Sequence, residues 1–232
     1  MTKLFLAIPC YNEELMIDST ANALSSKFGS DKALEVITFI NQRHNAEMES
    51  EDSDDQAFYK FKNQNLDLSL AITACYDTNY IRKVCTWIDN NKNLFTGSIL
   101  EVGCDVGIFS CFLAEHFPNS KIVSIDLCKE SIENAKQFAA QRNVNNVEFR
   151  NCSLEDISEK FDVVFSSKVA HETFEIFENM RYGTPLDVYA EYCKQKLTPY
   201  ATNLSSCIKE DGTLISIERI KKHPLLLGWL LA

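Results

Sequence analysis

Residues Ser98 to Ser110 read SILEVGCDVGIFS. Ile99, Leu100 and Val102 make a short apolar run of the kind a buried strand needs. Gly103 and Gly107 mark a turn, and Ile108 and Phe109 open a helical pattern. A strand that passes through a glycine-bearing turn into a helix is the first half of a βαβ unit. It restricts the chain to folds with a parallel sheet covered by helices.

The rest of the chain agrees with that restriction. Strands are expected at 98–102, 121–125, 147–150, 161–165 and 213–217, and helices at 108–117 and 129–142. Before them, Tyr80, Ile81, Val84, Trp87 and Ile88 recur at three and four along a helix expected from 66 to about 91. Thr184-Pro-Leu-Asp187 reads as a helix start, with Thr184 as cap and Pro185 in the first turn. Pro199 is expected to interrupt that helix, and Asp211-Gly212 to turn into the last strand. The fold expected is α/β, a doubly wound, mostly parallel sheet with helices on both faces and an N-terminal helical extension. Residues 1–46 read as a strand and helices. The acidic run within 47–56 reads as a linker, and 57–232 as the main domain.

The turn suits a ligand. Glycine lets it approach the backbone, and the following helix aims free N–H groups at it. Asp126 ends the second strand, nineteen residues after Gly107, where a carboxylate can accept both hydroxyls of a ribose. A dinucleotide site keeps its middle glycine for the pyrophosphate, but this chain has Asp105 there. A carboxylate at that position repels two phosphates and attracts a cation.

These residues carry a family resemblance. Glu101-Val-Gly-Cys-Asp-Val-Gly107 resembles the first motif of class I S-adenosylmethionine-dependent methyltransferases, and Val123-Ser-Ile-Asp-Leu127 the second. Val147 to Asp156 is similar to their third strand and adenine loop, Phe161 to Ser167 to their fourth motif, and Leu204 to Ile217 to their helix–turn–strand. The resemblance spans roughly residues 80 to 220. It implies S-adenosyl-L-methionine as cofactor. Glu101, Gly103, Cys104, Asp105 and Gly107 would line its methionine end, the side chain of Cys104 packing beneath the turn. Asp126 would hold the ribose, Leu127 would cover adenine, and Ser153 and Leu154 would stand at its edge. Ser166 belongs to the fourth motif. His171 is the candidate base and Glu172 its orienter, on the side where acceptors meet the cofactor. Tyr182, Tyr189 and Tyr192 read as acceptor-pocket lining or as packing.

The family sheet closes with an antiparallel hairpin that has no counterpart here, so the chain is a fragment or the hairpin is absent or replaced. The strand near Leu4 is one candidate for the vacant edge. That strand, with Pro9-Cys-Tyr-Asn-Glu13 after it, resembles the opening of family 2 glycosyltransferases, without their later metal-binding Asp motifs.

The function expected is methyl transfer to oxygen or nitrogen of a small molecule or glycan precursor. The alternatives are a truncated or non-catalytic cofactor-binding domain acting through a partner, and an NAD-dependent oxidoreductase, which Asp105 opposes. A net charge of −10 argues against nucleic acid. Nine cysteines without a C-x-x-C pair argue for a reducing cytoplasm and against a metal site. No secretory signal and no apolar run long enough for a bilayer are present. The apolar segment Leu225 to Leu231 is a candidate surface for a partner or a dimer.

Overall fold

The computed structural model describes residues 3–7, 25–26, 29–38, 55–170, 185–218 and 232. His171, Glu172, Tyr182, Thr184, the acidic residues 47–54 and the apolar segment 225–231 lie outside the described residues. So do residues 11–24, where a first helix is expected.

Six strands form one sheet: β1 (Lys3–Ala7), β2 (Ser98–Val102), β3 (Lys121–Asp126), β4 (Val147–Asn151), β5 (Phe161–Ser167) and β6 (Ile208–Ile217). Their order is β1-β6-β5-β2-β3-β4, and every pairing is parallel. Among the described residues the longer helices are α1 (30–38), α2 (Asp55–Lys62), α3 (Leu66–Asn90), α4 (Ile108–His116), α5 (Lys129–Arg142) and α6 (Leu186–Ser206).

Strand alternation decides what each face carries. Leu100, Val102, Val123, Ile125 and Val164 point to one face, where α6 covers them with Cys193, Leu197, Tyr200 and Leu204. Ile99, Ile122, Val163, Phe165 and Ile215 point to the other, under Tyr80, Val84 and Ile88 of α3 and Leu113 of α4. Both faces are buried, so the central strands read as nearly continuous apolar runs. The helical stripe expected around Tyr80 is the buried side of α3, Trp87 and Ile81 lying at its margin. Between α4 and α5 a smaller cluster joins Cys104, Cys111, Ile132, Ala135 and Phe149. The side chain of Cys104 therefore packs beneath the turn, and only its backbone is left to face a ligand.

The structure differs from expectation in three places. Helix α6 runs unbroken through Pro199. The missing N–H costs about 3 kcal/mol, but Leu197, Tyr200 and Leu204, on either side of the proline, are buried against the sheet and together outweigh it. Pro185 precedes the first helical residue as N-cap and makes no side-chain cap bond. Asp211-Gly212 lies inside β6 rather than before it. Phe161 pairs with Ile208 and Val163 with Thr213, so β6 bulges against β5, and Asp211 takes φ 63° in the bulge.

Strand β1 lies beside β6, Lys3 opposite Thr213 through Ala7 opposite Ile217. The expected strand near Leu4 thus occupies the sheet edge, running parallel where the family hairpin would run antiparallel. The chain winds from β2 through β3 to β4 on one side and returns to β5 on the other. The carboxyl ends of β2 and β5 flank the point of reversal, where doubly wound sheets bind ligands.

Candidate cofactor site at the strand ends

The turn between β2 and α4 is built on three left-handed residues, Gly103 (φ 74°), Asp105 (φ 46°) and Gly107 (φ 79°). The N–H groups of Gly103 and Cys104 both donate to the carbonyl of Ile125, which ties the turn to the end of β3. A Cβ on Gly103 would lie 2.4 Å from Cγ2 of Val169. A Cβ on Gly107 would lie 2.9 Å from Cβ of Ala135 and 3.1 Å from the Phe149 ring. Gly107 is the N-cap of α4 and offers no side-chain cap, so the first N–H groups of that helix are left to other acceptors.

Four charged side chains meet at this turn. Glu101 is buried on β2, and its Oε2 accepts from the hydroxyls of Ser110 on α4 and Ser124 on β3. Burial pushes its pKa up to about 7 against the pull of those two bonds, and Asp126 and Asp105 add to the rise. Asp126 at the end of β3 accepts from the N–H of Asp105 on one oxygen and from the N–H of Cys128 on the other, both at 2.8 Å. Burial, then the neighbouring Asp105 carboxylate, raise it to about 6. Asp105 pairs through Oδ2 with the ammonium of Lys62, at the end of α2. Its other oxygen, Oδ1, is buried without a hydrogen-bond partner.

The remaining candidates fall around this centre. Leu127 is 73% exposed directly after Asp126, and Asn151 fixes that corner by donating to the carbonyls of Asp126 and Leu127. Ser153 is spent on a cap: its N–H and hydroxyl both donate to Asp156, at 2.9 Å each. Leu154 is half-buried against the α6 side of the core. Ser166, fully buried, shares a hydrogen bond of 2.8 Å with the hydroxyl of Tyr200. It faces α6 rather than the turn. Tyr189 belongs to the core under α6, with Tyr192 stacked beside it. Ala170, the residue before His171, donates its N–H to the buried Glu218 beyond β6. No group of side chains among the described residues has a metal-binding arrangement.

Sequence reasoning missed Lys62. It is the last residue of an amphipathic helix, and nothing in the local pattern marks it as buried. Ser110 and Ser124 carry a signal in hindsight, since a polar residue at an inward position of a buried element needs a partner.

The site's negative charge is a feature of the fold that pH can read. Glu101 titrates higher in the folded chain than its ordinary value of 4.5. Its contribution to stability is therefore present below about pH 4.5 and lost as pH rises toward 7. The expected outcome is that Glu101→Gln matches the parent at pH 5 and is more stable by about 2 kcal/mol at pH 8. Urea unfolding at the two pH values checks it, and an equal difference at both would contradict the buried charge.

A family model described as a methyltransferase domain matches residues 96–223. Malonyl-[acyl-carrier protein] O-methyltransferase 2 of Ilyobacter polytropus is 32% identical over 105 residues, 43% of this chain and 36% of its own. Ribosomal RNA small subunit methyltransferase C of Colwellia psychrerythraea is 26% identical over 85 residues, 37% of this chain and 24% of its own. The chain thus spans about a third or less of the length of these relatives. Among solved structures, coclaurine N-methyltransferase bound to N-methylheliamine and SAH aligns at 18% identity with a TM-score of 0.43, covering 58% of this chain and 35% of that one.

Proposed function

This chain belongs to the methyltransferase-domain family, and from that premise we propose that it binds S-adenosyl-L-methionine at the β2–α4 turn and transfers the methyl group to oxygen or nitrogen of a small molecule or glycan precursor. The observation that carries the reading is the charge at the turn. Glu101, Asp105 and Asp126 face one lysine, and one carboxylate oxygen has no partner. A cationic ligand relieves that excess, and a pyrophosphate increases it.

The residues present fit the cofactor. Gly103 and Gly107 let the turn take its left-handed shape against Val169, Ala135 and Phe149, where a side chain would clash. Asp126 holds its carboxylate with two backbone N–H groups and keeps lone pairs for two ribose hydroxyls. Leu127, exposed beside it, offers an apolar surface to adenine. When bound, the cofactor supplies an electrophilic methyl on a sulfonium. The chain's part is to orient, to exclude water and to place the acceptor in line.

We assign His171 as the general base for a hydroxyl or ammonium acceptor, with Glu172 as its orienter. The support is their position in sequence, just beyond Ala170 at the carboxyl end of β5. A pH–rate profile whose acidic limb survives in His171→Ala would remove that assignment. The glycan acceptor rests on the glycosyltransferase-like opening at Leu4 to Glu13. The curated relatives are named for malonyl-[acyl-carrier protein] and for small-subunit ribosomal RNA, so membership of the family leaves the acceptor open. A screen with methyl-labelled S-adenosylmethionine over hydroxyl, amine and nucleotide-sugar acceptors tests the transfer. Label in a small acceptor supports it. Label only in RNA or protein overturns the acceptor class.

A further inference from the structure

Lys62 is 6% exposed, yet it comes from a helix outside the matched family region. Its place is not an accident of a long surface side chain. The next residue, Asn63, is bolted to α5 and α3 by a buried network. Its Nδ2 donates to Ser131 Oγ at 2.8 Å, its Oδ1 accepts from Ser69 Oγ at 2.7 Å, and its carbonyl accepts from Asn134 Nδ2 at 3.0 Å. The corner between α2 and α3 is thereby held over the turn. The Lys62 ammonium has Asp105 as its one hydrogen-bonding partner among the described residues, and the ring of Tyr59 lies 5.8 Å away.

An ion pair whose lysine is buried, whose aspartate is 28% exposed and whose second carboxylate oxygen has no partner is a poor way to stabilise a fold. It is a good receptor for a zwitterion. We propose that Lys62 and Asp105 together read the α-amino-acid end of the cofactor, Lys62 taking its carboxylate and Asp105 its ammonium. The proposal rests on the S-adenosylmethionine reading above and deepens it. On binding, one internal ion pair is exchanged for two pairs with the ligand. Neither Lys62 nor Asp105 is left without an opposite charge in either state, and the orphan Oδ1 gains a donor. It also gives Asp105, which replaces a family glycine, a role of its own.

The test compares three ligands by calorimetry. S-adenosylhomocysteine carries the zwitterion, its decarboxylated thioether lacks the carboxylate, and 5′-methylthioadenosine lacks the whole end. The unmodified chain should bind S-adenosylhomocysteine at least about tenfold more tightly than the decarboxylated compound. Lys62→Met should weaken S-adenosylhomocysteine by about tenfold or more and leave 5′-methylthioadenosine within about threefold, and Lys62→Arg should restore much of the loss. Asp105→Asn should act in the same sense. Equal affinity of the unmodified chain for all three ligands overturns the proposal, and this arm needs no variant to fold. So does an equal loss for every ligand in Lys62→Met, which would mark a structural lysine. If the unmodified chain binds none of the three, the cofactor reading itself fails.

Discussion

Asp126→Ala will lower affinity for S-adenosylhomocysteine by about 100- to 1000-fold while the chain stays folded. The carboxylate ends β3 with each oxygen already fixed by one backbone N–H, so under the proposed function it would meet a ribose without reorganising. Two hydrogen bonds from hydroxyls to a charged acceptor contribute about 1.5–3 kcal/mol each, and part of that is shared with water in the free state. The loss in stability will be smaller, about 1–2 kcal/mol, because burial already holds this carboxylate at an unfavourable pKa of about 6. Asp126→Asn keeps one acceptor and should fall between. Calorimetric affinity and urea unfolding, measured on the same preparations, separate the two effects. A variant that loses affinity only in proportion to lost folding would show Asp126 to be a structural residue.

Gly107→Val will destabilise the chain by about 2–5 kcal/mol. Two independent costs add. A β-branched residue in the left-handed region is strained by about 1–2 kcal/mol. The side chain would also enter space already filled, with Cβ at 2.9 Å from Ala135 and 3.1 Å from Phe149, and the Ala135 backbone at 3.3 Å; overpacking of that kind costs about 1–3 kcal/mol. Helix α5 must then move away from α4, and Cys104, Cys111 and Ile132 in the same cluster lose contacts. Urea midpoints check the size. A midpoint close to the parent's would show that the turn is more plastic than its glycines suggest.

Most of the sheet was legible because burial on both faces leaves little choice. Ser98–Val102 is read at its true limits, and so is the helix Lys129–Arg142, which the apolar spacing of Ile132, Ala135 and Phe138 marks. The turn after β2 was legible because glycines occur where side chains cannot, as at Gly103 and Gly107. What the sequence hid are contacts between distant segments. Lys62 and Asp105 are 43 residues apart, and a lysine at a helix end looks solvated until the Asn63 network is seen. Pro199 was misread because a local breaker was weighed without the apolar face that Leu197, Tyr200 and Leu204 make on the opposite side of the helix. The bulge at Asp211-Gly212 was misread because a turn dipeptide can also be absorbed within a strand. Ser153 is expected at an adenine edge, and the structure adds a cap that its polar groups close with Asp156.

Under the proposed function, the charge around the β2–α4 turn selects a cationic or zwitterionic adenosyl ligand over a dinucleotide. Calorimetric titration of the full chain with S-adenosylhomocysteine, with NAD as comparison, tests it most directly. We predict micromolar binding of S-adenosylhomocysteine with one site per chain and no heat from NAD. NAD binding as tightly, or no binding of either by the folded chain, would contradict the account.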